Sequence, residues 1–237
     1  MSVTVIAAAD RYDTRTDWLE SRHSFSHGSH YDPDNMGFAS LLACNDEVVQ
    51  GGAGFQMHAH AGIEIVTWVL SGKLVHEDSE GNRGVVVPGT VQLTSAGSGI
   101  RHAEVNASAD EPVHLVQTWV APDDPDAAPS YLIGKVDTQA LAHGWVPVVG
   151  GSAAAGGRAI VQLGRHDAAL WVTRPATAAV RQLPDAPFIH LLVSHGMVEV
   201  ERVGVLTPGD ALRCVAAGPL VVTATQPAEL LVWELHS

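Results

Sequence analysis

The sequence predicts an all-β chain of two β domains of similar size, each a barrel or sandwich of short strands. Three observations carry this. Apolar residues come in short β-branched and aromatic runs without helical period, and turn dipeptides separate the runs. Comparable sets of runs lie on either side of a Pro- and Asp-rich break.

In chain order, the run at 63–70 (IEIVTWVL) stops at Ser71-Gly72. GVVV at 84–87 is bracketed by Glu80-Gly81-Asn82 and Pro88-Gly89, and VHLVQTWV at 113–120 closes the first set. APDDPDAAP at 121–129 then reads as a surface connection, dividing the chain into 1–125 and 126–237. GGSAAAGG at 150–157 reads as a flexible loop inside the second half. The second set comprises 188–193 (FIHLLV), 198–205 (VEVERVGV), 220–224 (LVVTA) and 230–235 (LLVWEL). His195-Gly196 and Pro208-Gly209-Asp210 supply its turns. LTPGDAL at 206–212 has the look of a late barrel turn and hints at duplication.

Composition limits the function classes. In 237 residues, 46% are hydrophobic and 16% charged, against a usual charged share of about 25%, which excludes intrinsic disorder. The formal net charge of -13 repels phosphate backbones and anionic lipid at long range, so neither direct nucleic-acid binding nor polybasic membrane binding is expected. MSVTVIAAAD at the start lacks the basic region of a secretory leader, and no stretch reaches the ~18 apolar residues of a membrane span. A cytoplasmic protein is expected. Cys44 and Cys214 are far apart and read as inert core thiols.

The chemistry concentrates in two short segments. Residues i and i+2 of an extended chain share a face, so His58-x-His60 and His102-x-Glu104 each present two donors from one ribbon. Facing one another across a barrel, the ribbons would offer three imidazoles and a carboxylate to one divalent ion. Two same-face histidines alone commonly sit on a solvated strand; it is the second ribbon that raises the pair to a metal set. Such donors suit Fe(II), the first expectation, or Mn, Ni, Cu or Zn, and suit Ca or Mg poorly. Glu64 competes for the carboxylate position. It lies roughly 13 Å beyond His60 on a straight strand, out of reach unless Ala61-Gly62 bends sharply, so it reads as a buried structural acid. Arg101, next to His102, points to the opposite face. His23, His27 and His30 have offsets of four and three that would need a helix to converge. Gly28 and Pro33 argue for a loop there, bordering the mouth of the first barrel.

Gly52-(x5)-His58-x-His60-(x3)-Glu64 matches the first cupin motif, with Gly72 one residue late, and His102-(x3)-Asn106 matches the tail of the second. More specifically, the chain resembles the pirin family. The similarity lies in RHSFSHGSHYDP at 22–33, MGFASLLACNDEVVQGGAGF at 36–55, MHAHAGIEIVTWVLSGKLVHEDSEGN at 57–82 and LTSAGSGIRHAEVN at 93–106. The resemblance implies an all-β bicupin, two jelly-roll-type β-barrels packed together, with one metal site in its N-terminal barrel, its ligands corresponding to His58, His60, His102 and Glu104. Two departures stand out: Ala59 replaces a proline of many members, and Ser95 replaces the proline of other cupins. The second half has neither H-x-H nor H-x-E and is expected to be metal-free.

Bacterial pirin-like proteins are similar to quercetin 2,3-dioxygenases, whereas animal pirin looks like a metal-dependent transcriptional cofactor. The first likeness implies oxidative cleavage of a flavonol by O₂ with release of carbon monoxide, Glu104 serving as ligand and base. Phe55, Met57, Ile65, Leu74 and Leu93 are candidate apolar walls. The alternative is a metal- or redox-sensing protein that regulates a partner. A cupin isomerase fits less well, because Arg101 alone adjoins the motif where a charged sugar- or phosphate-binding set would be needed. A two-barrel chain already buries its paired faces, so a monomer is expected.

Overall fold

In the computed structural model, which describes residues 2–237, strands of two to nine residues dominate, and among the described residues the one α-helix is the six-residue Thr138–His143. Among the described residues no helix is long and apolar enough to cross a membrane. The chain builds two copies of one architecture, each a seven-stranded sheet facing a four-stranded sheet.

In the first barrel the large sheet runs Ser130–Lys135, Thr90–Ser95, Glu64–Ser71, Val113–Val120, Leu41–Val49, Leu19–His23 and Tyr12–Arg15. The facing sheet runs Gly54–His60, Ile100–Asn106, Leu74–Asp78 and Arg83–Val86. The second barrel repeats the order with Ala211–Val215, Phe188–His195, Glu229–Leu235 and Ala168–Thr173 at the centre of its large sheet. Val180–Gln182, Val221–Ala224, Val198–Val200 and Gly204–Leu206 form its small one. The duplication hinted at by LTPGDAL is therefore present as topology.

Two strands cross the expected division at 125/126. Ser2–Ile6 pairs antiparallel with Ala211–Val215 of the second barrel, while Ser130–Lys135 pairs with Thr90–Ser95 of the first. Each half thus lends a strand to the equivalent edge of the other, covering edges that would otherwise template aggregation. APDDPDAAP is a surface connection, but Tyr131 beyond it belongs to the first barrel.

The outer faces of the two large sheets pack on each other. One apolar core contains Val66, Trp68, Leu93 and Val116 from the first barrel with Leu170, Leu192 and Trp233 from the second. Trp68, fully buried, donates its indole N–H to Glu229 Oε1 at 2.7 Å, and Arg174 approaches the other oxygen of that carboxylate at 3.1 Å. The inner face of the second barrel is filled by Leu191, Val193, Val200, Val222 and Leu230, leaving an interior of hydrocarbon. The first barrel has a smaller apolar plug at one end (Val49, Val69, Leu74, Val113, Leu115) and polar residues across the rest of its interior.

Within 150–157, where a flexible loop is expected, Gly150, Gly151, Ala154 and Ala155 are buried. The stretch runs from a strand ending at Gly150 into a short 3₁₀ turn, Ala154–Gly157, and Ala154 and Ala155 are buried against Ala169. Small residues fit here because the chain lies directly on a neighbouring strand.

Candidate metal centre

His58 and His60 lie on Gly54–His60, whose partner strand Ile100–Asn106 carries His102 and Glu104. His102 pairs with His58 and Ile100 with His60, but Glu104 pairs with Phe55. One extra residue is accommodated in the first strand at Gln56-Met57, a bulge that turns both Phe55 and His58 inward. It also puts the Gln56 carbonyl 2.7 Å from His58 Nδ1, which donates to it. That bond leaves Nε2 as the free lone pair.

The three imidazoles converge. Ring centroids are 4.8 Å apart for His58 and His60, 4.5 Å for His58 and His102, and 5.0 Å for His60 and His102. One nitrogen from each lies within 4.8 Å of the others. His102 is wholly buried, and neither of its ring nitrogens has a hydrogen-bond partner. A buried polar group without a partner is destabilising, and a divalent transition ion shared with His58 and His60 is a partner of the right chemistry. Burial lowers the His102 pKa to about 4, which keeps its ring neutral and ready to ligate.

Glu104 is the adjoining carboxylate. It groups closely with His102 and His76, and it lines the same chamber as His58 and His60. Its orientation is fixed by two amides: Gln92 Nε2 donates to Oε1 at 2.6 Å and Gln117 Nε2 to Oε2 at 2.7 Å. The amides are themselves held, since Tyr131 Oη donates to Gln92 Oε1 and Trp119 Nε1 to Gln117 Oε1, both at 3.0 Å. Tyr131 also stacks on His76 with centroids 4.2 Å apart, and His76 Nε2 sits 3.2 Å from Asp78 Oδ2. Burial alone would raise the Glu104 pKa, but His76, His102 and Gln117 outweigh it and hold the carboxyl well below its usual range. A carboxylate so stabilised is a firm donor to a cation and a weak base, which argues against the base role expected for it.

Glu64 is displaced as expected. Gly62, at φ +64°, makes the bend between His60 and the next strand, and that bend carries Glu64 into the large sheet. There it accepts from Ser95 Oγ at 2.9 Å and from the Gly164 amide of the other barrel at 3.1 Å. Ser95, where other cupins carry proline, thus has a structural use.

The wall candidates fare less well. Of the five, Phe55 lines the chamber. Met57 is 44% exposed, Leu93 packs between the barrels, Leu74 belongs to the apolar plug, and Ile65 is buried outside the chamber lining. Opposite Phe55 stand Trp119 and His27. His23, His27 and His30 do converge, without a helix. The loop after His23 folds back through a bridge between His27 and His30, stacking His27 on His23 at 4.6 Å and setting it edge-on to Trp119 at 5.1 Å. His27 therefore borders the chamber.

Sequence reasoning missed Asn45, Glu47, Gln92, Gln117, Trp119 and Tyr131. A usable signal existed for most of them: a polar residue on the inward face of an otherwise apolar strand, as in LLACNDEVV, TVQLTS and VHLVQTWV. Tyr131 gave none, because its strand is borrowed across the connection. The chamber measures about 180 Å³, below the ~300–1,000 Å³ of sites that enclose a drug-sized ligand. It adjoins a larger surface groove, about 480 Å³, through shared Phe55 and His58. Both close groups of candidate ligands among the described residues lie in the first barrel.

Comparison with known proteins agrees with the architecture. The family model described as Pirin matches residues 6–120. A Mycobacterium tuberculosis protein, provisionally named a quercetin 2,3-dioxygenase, is 46% identical over 236 residues, covering 100% of this chain and 96% of its own. An Escherichia coli protein named quercetin 2,3-dioxygenase is 44% identical over 124 residues, covering 52% of this chain and 54% of its own. The crystal structure of an Escherichia coli bacterial pirin in complex with nickel(II) superposes with a TM-score of 0.89 at 30% identity, over 99% of both chains.

Proposed function

The chain belongs to the pirin family, and we propose that its first barrel is the site of a metal-dependent dioxygenase that opens the heterocycle of a flavonol such as quercetin. The reaction consumes O₂ and releases carbon monoxide. The convergence of His58, His60 and His102 around a buried imidazole with no protein partner is the observation that carries the reading. His58, His60, His102 and Glu104 would hold the ion, with Fe(II) the first choice and Mn, Ni, Cu or Zn compatible with the same donors. When bound, such an ion supplies Lewis acidity toward an enolisable hydroxyl and a centre for reaction with O₂.

The protein residues have separable tasks. Gln92 and Gln117 fix the Glu104 carboxylate, so its oxygens need no reorganisation when a cation arrives. Phe55 and Trp119 offer flat apolar faces in the chamber. A chamber of about 180 Å³ admits the reacting ring, and the remainder of a flavonol would lie in the groove beyond Phe55, edged by Trp18. The exclusion of water around the reacting ring follows from that fit. The names of the Mycobacterium tuberculosis and Escherichia coli relatives support the flavonol assignment.

The test is anaerobic loading with each divalent ion followed by quercetin in air. Loss of the yellow flavonol absorbance with release of carbon monoxide is expected with at least one ion. No loss with any of them rejects the dioxygenase. Gln117→Leu tests the support of the carboxylate: metal affinity is expected to fall about 10–100-fold, the range for partners that orient ligands, with the fold retained by circular dichroism.

A further inference from the structure

We propose that Glu47 is the proton acceptor of the chamber, held in place by Ser21. This rests on the flavonol reading of the same site and assigns a step that reading leaves open.

Glu47 lies in Leu41–Val49, is buried, and lines the chamber with His58 and His60. Ser21 Oγ donates to its Oε1 at 3.2 Å, while Oε2 is buried with no partner. A buried carboxylate oxygen without a donor is destabilising, so packing alone does not explain a glutamate here. Glu104, the other chamber carboxylate, has both oxygens committed to amides. Glu47 is the one with an oxygen left to receive a proton.

The groups facing it agree. Burial pushes its carboxyl up to about 7, and the like charges of Glu104 and Asp46 act in the same direction against hydrogen bonds from Ser21 and Asn45. His27, His58 and His60 face the chamber beside it, and His23 stands behind Ser21. None of the hydrogen bonds to Glu47 comes from His58, His60, His102 or Glu104.

Ser21 holds Glu47 from behind. His23 Nδ1 donates to Asn45 Oδ1 at 2.9 Å, so Ser21 Oγ, 3.4 Å from that nitrogen, keeps its own hydrogen for Glu47 Oε1. In the proposed step the 3-hydroxyl O–H bond of the flavonol breaks, its electron pair stays on oxygen, and a new O–H bond forms at Glu47 Oε2. Glu47 gives that proton up to water when the product leaves. Overall, flavonol and O₂ give the ester carboxylate, carbon monoxide and that proton.

Glu47→Gln keeps the size and the acceptor for Ser21 while removing the base. Expected results are unchanged metal content by elemental analysis and a fall in kcat of about 100-fold or more with KM little moved. Under anaerobic conditions at pH 7, wild type should shift bound quercetin to the longer-wavelength absorbance of its anion, and the variant should not. Glu47→Asp should recover part of that shift. A variant with wild-type anaerobic spectrum and turnover overturns the inference while leaving the dioxygenase reading intact. Wild-type protein that binds no flavonol overturns both. If Glu47→Gln does not fold, Ser21→Ala replaces it: a roughly tenfold slower turnover at unchanged metal content is expected, and an unchanged rate overturns the inference.

Discussion

His102→Ala is expected to remove the divalent ion and the oxidative activity together. His102 holds the central position, paired with His58 across the strands and within ring contact of His60. Partners that merely orient metal ligands are worth about 10–100-fold in affinity, so loss of a ligand lowers it by about 100-fold or more. Elemental analysis after dialysis reads this directly. A second readout needs no turnover. An ion that binds only the folded chain stabilises it by RT ln(1 + [ion]/Kd), so the wild-type thermal midpoint should rise with added ion and the variant's should not. A variant that keeps the metal and the activity would put the centre elsewhere.

Trp68→Ala carries the largest expected loss of stability. The side chain is fully buried in the core shared by both barrels, and truncating such an aromatic costs about 3–5 kcal/mol. The lost indole N–H also leaves Glu229 Oε1 with Arg174 as its remaining donor. Because the barrels share this core and exchange edge strands, they should unfold together in the wild type. Urea titration is expected to show a lower midpoint for the variant. A midpoint within experimental error of wild type would mean that the interface relaxes around the cavity, against the close packing seen there.

Much of this was legible beforehand, and residue spacing explains why. H-x-H and H-x-E are local statements about a strand, and a strand's two-residue alternation holds wherever the strand goes. Reach alone excludes Glu64 as a ligand, and its location in the large sheet, bonded to Ser95 and Gly164, agrees. The apolar walls went wrong for the complementary reason. Leu93 and Gln92 are neighbours on one strand and face opposite sides, and nothing local says which side is the chamber and which the other barrel. The histidines at 23, 27 and 30 were judged against helical geometry, whereas a loop bridge brought them together.

The all-β class, the duplicated runs and the two donor ribbons are readable from the residues alone, because they depend on contacts between residues close in the chain. The reciprocal edge strands, the amide clamp on Glu104 and the position of Glu47 beside the chamber come from the tertiary fold. Each of these joins residues tens of positions apart through sheet register and barrel closure. Register is a sum over many weak cross-strand pairings, and no single residue encodes it.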